Sequence, residues 1–292
     1  MKSTYIQGII YMMLASFFFT VNDNFMKLMT NAEGSIFYIF ELIFIRGVIA
    51  TIFLFFCLLF TKQVNFKSMF ASKRSYIRGL FEAMTMIFFF IGVVTMPMAE
   101  VYTLLNISPL LIILSGMLIF KEKVGLKRLL AVFIGFIGML IVINPNNLNF
   151  NYFFIFPLLA AISVTAREII TAGFPKKTNS LHIVFTSSLI VTIISGLITI
   201  FTYTPINTEY INIILITSLF VTIANIFLYK SVIIAPLSIT STFRYSIIIF
   251  GIIVSYFILK EVPNINMLIG GTIIIISGIF IIQREKAIGK IS

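Results

Sequence analysis

Tryptophan is absent from these 292 residues, cysteine and histidine occur once each, and only 11% of positions are charged. A soluble domain carries about 25% charged residues, so this chain lacks the polar surface needed to cover a water-soluble globule. The single cysteine, Cys57, lies inside an apolar run. It excludes an intrachain disulfide and a cysteine-ligated metal site, and packs as a small apolar residue. The single histidine, His182, opens an apolar segment, where an interfacial side chain is the plain reading. No phosphate loop, nucleophile elbow or metal-ligand spacing is visible. Enzyme chemistry, a bound metal and a cofactor therefore have no evident home.

What the chain has is apolar length. Hydrophobic residues make up 60% of it, and the mean hydropathy is +1.10. A helix needs roughly 20 apolar residues to cross a bilayer. Ten runs qualify: 6–29, 36–60, 77–96, 98–120, 126–143, 152–172, 181–202, 210–230, 234–259 and 265–282. The connections are too short to fold alone, so the lipid bilayer is the solvent of one helical bundle. The first run continues past the length of a signal peptide, contains Asn22-Asp23-Asn24 and lacks a small-residue cleavage site, so it reads as a span.

The net charge of +11 would suit a nucleic-acid binder, but the bases occupy short loops between the runs. With the N-terminus inside, sixteen Lys and Arg fall in the inner segments and only Lys27 and Lys260 outside. That asymmetry orients a membrane protein with both termini cytoplasmic. No nucleic-acid partner is expected, and the bacterial inner membrane is the expected location. Lysine outnumbers arginine and Ile, Phe and Asn are abundant, a bias common in the AT-rich genomes of host-dependent bacteria.

One hydrophobic module occurs twice. PMAEVYTLLNISPLLIILSGMLIFKE (97–122) and PLSITSTFRYSIIIFGIIVSYFILKE (236–261) keep their leading proline and closing Lys-Glu at an offset of 139. A fainter match, LASFFFTVND against LAAISVTARE, sets Asp23 opposite Glu168. Repeats are the first feature to read in a chain. Ten spans divide into five and five, and an odd number per half inverts the second copy. The expected fold is therefore all-α, with ten transmembrane helices as two inverted five-helix repeats, residues 1–148 and 149–292. Such repeats place a substrate near the bilayer midplane and exchange conformations to give alternating access.

Charges inside spans cost about 2.5–3.5 kcal/mol each on insertion scales, so they face cavities or one another. This chain places Asp23, Glu41, Arg46, Glu82, Glu100, Arg167, Glu168 and Arg244 there. Arg244 lies midway along span nine beside Ser241, Thr242 and Tyr245. It either binds an anionic group through its planar fork or pairs with Glu82, Glu100 or another acid. Glu100 either meets a cationic group, with Tyr102 and Asn106 sharing a helix face below it, or is solvated at the outer interface. Arg46 reads as a structural contact and Glu82 as the i,i+4 partner of Arg78 at the inner interface. Arg167-Glu168 forms part of a network or reaches that interface. Glycines 135, 138, 251, 270, 271 and 278 allow close helix approach.

Arg46-Gly47, Arg78-Gly79, Pro97…Pro109…Lys121-Glu122, Gly135, Gly138 and the Lys260-Glu261 echo together resemble the drug/metabolite transporter superfamily in its EamA-type branch. Within that branch the chain is similar to the S-adenosylmethionine uptake carriers of host-dependent bacteria. The resemblance implies import of S-adenosylmethionine, exchanged for S-adenosylhomocysteine, by a monomer or homodimer. It sets acids such as Glu100 against the ligand's cations, Arg244 against its carboxylate and aromatic rings against its adenine. The competing expectations are a carrier of amino acids or another cationic metabolite, and a non-transporting scaffold or scramblase. Where span four carries Glu100, span nine carries Ile239, and Arg244 stands where span four has Leu105.

Overall fold

The computed structural model describes residues 2–33, 36–66, 70, 72–95, 101, 104–121, 125–143, 152–202, 205, 207–258, 260 and 265–287. Among these there is helix and connecting loop but no strand. The helices are α1 (Lys2–Glu33), α2 (Ile36–Phe60), α3 (Lys73–Thr95), α4 (Ser108–Ile119), α5 (Leu126–Ile143), α6 (Ile155–Ala172), α7 (Ser180–Thr202), α8 (Ile211–Ile234), α9 (Leu237–Thr240), α10 (Ser246–Ile258) and α11 (Ile265–Ala287). Among the described residues, seven segments are long and apolar enough to cross a membrane, and shorter apolar helices cover 108–119, 129–141 and 268–281. Large apolar side chains such as Phe60 and Phe201 stand 84% and 87% exposed. In water that surface would aggregate, whereas in lipid it is the solvated face.

Two expected spans are broken. The run 98–120 does not continue as one helix through its described part: a turn at Asn106 and Ile107 precedes α4, with Pro109 in the first turn of the new helix. Proline cannot donate to the ladder, and the first turn is where no intrahelical donor is needed. The run 234–259 ends α8 at Ile234, restarts after Pro236 as α9, and tightens to a 3₁₀ segment over Ser241–Tyr245 before α10. The turn and the 3₁₀ segment sit at matching places in the two repeated modules. Lys121 and Lys260, also matched, both take a left-handed conformation, with φ of 51° and 58°. Irregular backbone at membrane depth is tolerated where it is buried in protein or lines a cavity.

Packing runs across the halves of the chain. α1 lies along α8, α3 along α6, α2 against α7 and α5 against α11, while α3 also touches α7 and α2 touches α8. At the α2–α7 crossing Gly47 has no room for a side chain: a Cβ there would come within 2.5 Å of Thr192 Oγ1. Thr51 and Ser188 share a hydrogen bond of 2.9 Å at the same crossing. At the α5–α11 contact a Cβ on Gly138 would lie 2.9 Å from the Gly270 carbonyl. Gly251, expected to serve a close approach, instead has nothing within 4 Å of its Cβ direction.

Candidate functional site

The helices are apolar almost all round, so the side chains that break the pattern mark the interior. Arg167 on α6 donates from Nη1 to Glu82 Oε1 on α3 at 3.0 Å and reaches Glu168 Oε1 from Nη2 at 3.4 Å. Arg78, one turn before Glu82, approaches Glu82 Oε2 at 3.5 Å. Arg244, in the 3₁₀ segment before α10, pairs with Glu168 Oε1. The result is a line of alternating charge, Arg78–Glu82–Arg167–Glu168–Arg244. Its side chains are 1–4% exposed, apart from Arg244 at 14%. Arg78 is fixed further by donating from Nε to Thr171 Oγ1 at 3.0 Å and from Nη1 to Ser187 Oγ at 2.6 Å. Three guanidinium groups meet two carboxylates, so the line is cationic overall.

Two expected contacts recur here with further partners. Arg78 and Glu82 form the expected i,i+4 pair, and both side chains are buried, Arg78 also bonding Thr171 of α6 and Ser187 of α7. Arg46 makes the expected buried contact to other helices, with neutral partners and no ion pair among the described residues. Its Nη1 donates to Asn22 Oδ1 at 3.0 Å, its Nη2 to Met86 Sδ at 3.5 Å, and its guanidinium stands 5.5 Å from the Phe90 ring centre. Asn22 in turn donates to Asp23 Oδ1 at 2.9 Å.

Two cavities are stacked along α3. The first, about 670 Å³ counted out to its open side, brings Asn22 and Asp23 of α1, Glu82 of α3, Asn106 of the α4 turn, Arg167 of α6 and Arg244 together with Phe19, Phe89 and Phe90. The second, about 440 Å³ on the same count, lies between α2, α3, α7 and α8 and is bounded by Arg46, Gly47, Arg78, Ser187, Ser188, Thr222 and Asn225. Glu82 and Met86 line both.

The expected site residues therefore divide. Asp23, Glu82, Asn106, Arg167 and Arg244 surround the first cavity. Glu168 holds Arg244 and Arg167, and Arg46 borders the second cavity. Tyr245 is buried among apolar side chains, its ring beside Gly135 of α5. Glu41 lines a shallow groove with Phe44, Thr192 and Gly196. Glu100 and Tyr102 lie outside the described residues. His182, in the first turn of α7, donates from Nε2 to the Gln63 carbonyl at 2.7 Å. Phe89, Phe90, Met86, Ser187 and Asn225 line the cavities without a signal in the sequence, since Phe and Ser of this kind recur throughout the spans. Asn22 was also missed, although the polar triplet Asn22-Asp23-Asn24 inside an apolar run is a signal that could have found it.

A bundle of apolar helices that turns its charges inward around a cavity is a multi-pass membrane carrier of small solutes. The comparisons name its kind. The chain belongs to the EamA-like transporter family, which it matches twice, over residues 6–144 and 151–283; it is a transport protein and not an enzyme. It is 27% identical over 287 residues to the S-adenosylmethionine uptake transporter of Rickettsia prowazekii (strain Madrid E), covering 97% of this chain and 95% of that protein. The protein of the same description from Rickettsia conorii is 26% identical over 292 residues, with the same coverage. A riboflavin transporter of Brucella anthropi is 25% identical over 201 residues, 66% of this chain and 70% of its own. A solved crystal structure shares the fold, with a TM-score of 0.75 at 14% identity over 98% of this chain and 99% of its own.

Proposed function

We propose that this transporter imports S-adenosylmethionine across a bacterial inner membrane by alternating access, with S-adenosylhomocysteine as the exchanged product. The observation that carries the reading is the composition of the first cavity. S-adenosylmethionine combines a sulfonium, an ammonium, a carboxylate and a planar adenine. Asp23 supplies anionic charge for its sulfonium, and Phe19, Phe89 and Phe90 supply ring faces for a cation or a base. Arg244 and Glu168 form a pair that holds α6 to the α9–α10 break and must part when the bundle opens between them.

The alternating mechanism rests on ten spans in two inverted halves, 1–148 and 149–292, with both termini cytoplasmic. The three shorter apolar helices complete the ten. Helix pairing supports the relation: exchanging each helix for its counterpart turns the α1–α8 contact into α6–α3, and α2–α7 into itself. Inverted halves can swap conformations and so move one site from one face to the other.

Uptake of labelled S-adenosylmethionine into proteoliposomes tests the substrate, and stimulation by internal S-adenosylhomocysteine tests exchange. Absence of uptake, with robust flux of another metabolite, rejects the reading. The riboflavin-transporting relative favours a second reading in which the cavity takes a different planar metabolite. Unlabelled riboflavin and amino acids as competitors in the same assay distinguish it.

A further inference from the structure

We infer that the second cavity is the subsite for an α-amino-acid head group, with Arg46 receiving its carboxylate and Asn225 its ammonium. Arg244, the arginine whose position in the sequence first suggests a carboxylate partner, is already held by Glu168. Arg46 is not so held. It is 2% exposed, and its hydrogen-bond and ring partners are all neutral: an amide oxygen, a thioether and a phenyl face. No described carboxylate lies within ion-pair distance of it; Asp23 and Glu82 act on it only from farther away. A buried cation is tolerated when paired or well hydrogen-bonded. This one is half provided for, and its guanidinium borders the second cavity.

The rest of that space has the complementary chemistry. Asn225 Nδ2 donates to the Val221 carbonyl at 3.1 Å, which fixes the amide and leaves Oδ1 as its free end. That oxygen is buried and has no hydrogen-bond partner among the described residues. A buried acceptor left open costs about 1–3 kcal/mol, and an ammonium N–H satisfies it. Ser188 and Thr222 add hydroxyls to the same wall. The charge balance agrees. The line through Arg78, Glu82, Arg167, Glu168 and Arg244 has one guanidinium in excess, and Arg46 beside it is offset only by the more distant Asp23. A carboxylate entering between Arg46 and Arg78 offsets that excess. Glu82 and Met86 border both cavities, so a ligand seated in the second reaches toward the aromatic wall of the first.

This subsite deepens the uptake reading, and its test separates the two. In proteoliposomes the wild type is expected to favour S-adenosylmethionine over its decarboxylated analogue by about ten- to a hundredfold, the value of one charge-assisted contact. Arg46→Gln removes that preference and Arg46→Lys retains part of it, while Arg244→Gln keeps the ratio even where it slows transport. A ratio that survives Arg46→Gln, or collapses in Arg244→Gln alone, overturns the assignment. Monodisperse elution in detergent identifies variants that have folded, and Arg46→Lys serves if Arg46→Gln has not. If the wild type does not carry S-adenosylmethionine, the uptake reading fails and the subsite is read separately. Methionine and S-adenosylhomocysteine should then raise the thermal stability of the purified wild type more than methioninamide does, and the Arg46 variant should lose that difference. Equal stabilisation by acid and amide, or none by either, overturns the subsite.

Discussion

Replacing Glu168 by Gln should destabilise the protein severely, and a second substitution should return most of the loss. Glu168 is 1% exposed and holds two guanidinium groups, Arg244 in a direct pair and Arg167 at 3.4 Å. Arg167 retains Glu82 at 3.0 Å when Glu168 is neutralised. Arg244 retains nothing of opposite charge among its described contacts. Breaking a buried pair by removing one partner costs about 3–5 kcal/mol, because the other charge stays buried. Arg244 is 14% exposed toward the first cavity, where solvent softens the penalty, so the lower end, about 3 kcal/mol, is expected. Glu168→Gln with Arg244→Met removes one charge of each sign and leaves the remaining line at its original net charge. Replacing a buried ion pair by apolar groups of similar volume is often neutral, so the double variant should lie within about 1 kcal/mol of wild type. Unfolding by SDS in mixed micelles, followed by circular dichroism, gives the four corners of the cycle. Cys57, the only thiol, gives an independent signal through a thiol-reactive dye. A Glu168→Gln protein within 1 kcal/mol of wild type, or a double variant no more stable than the single, would refute the reasoning.

The glycines offer a matched contrast. Gly138→Ala should cost about 1–3 kcal/mol, since its Cβ meets the Gly270 backbone carbonyl at 2.9 Å, whereas Gly251→Ala, facing open space, should be neutral or stabilising in the same titration. For topology, in a Cys57→Ser background, Lys121→Cys should resist a membrane-impermeant maleimide in intact cells and Thr208→Cys should react; the reverse result would turn the proposed orientation over.

The membrane class was legible because it depends on composition and run length, which need no knowledge of packing. The helix ends at Phe60, Ala172 and Thr202 fall where the apolar runs stop. The breaks near Asn106 and Arg244 were less legible. Pro109 and Pro236 mark where a helix can begin, but the 3₁₀ tightening over Ser241–Tyr245 depends on what surrounds it. The partners of the buried charges were hardest to read. Glu82 can satisfy Arg78 one turn away, and the local rule anticipates that pair, yet Glu82 also bonds Arg167 through the α3–α6 contact. Which helices touch is decided by small residues such as Gly47 and Gly138 acting at a distance in sequence. Spans that are apolar on every side carry little information about which face looks inward.

Glu82 and Met86, shared by the two cavities, have an electrical consequence. A membrane potential falls mainly across the least polarisable part of its path. Where polar cavities approach each other from two sides, that part shrinks to the side chains between them. A single positive charge moved through the full potential gains about 2.3 kcal/mol per 100 mV, and in any state where the two cavities open to opposite faces the steepest part of that drop falls across one carboxylate and one thioether. A cationic solute passing this partition would do nearly all of its electrical work in one short step. Transport current should then vary steeply with voltage at that step and little during entry or release.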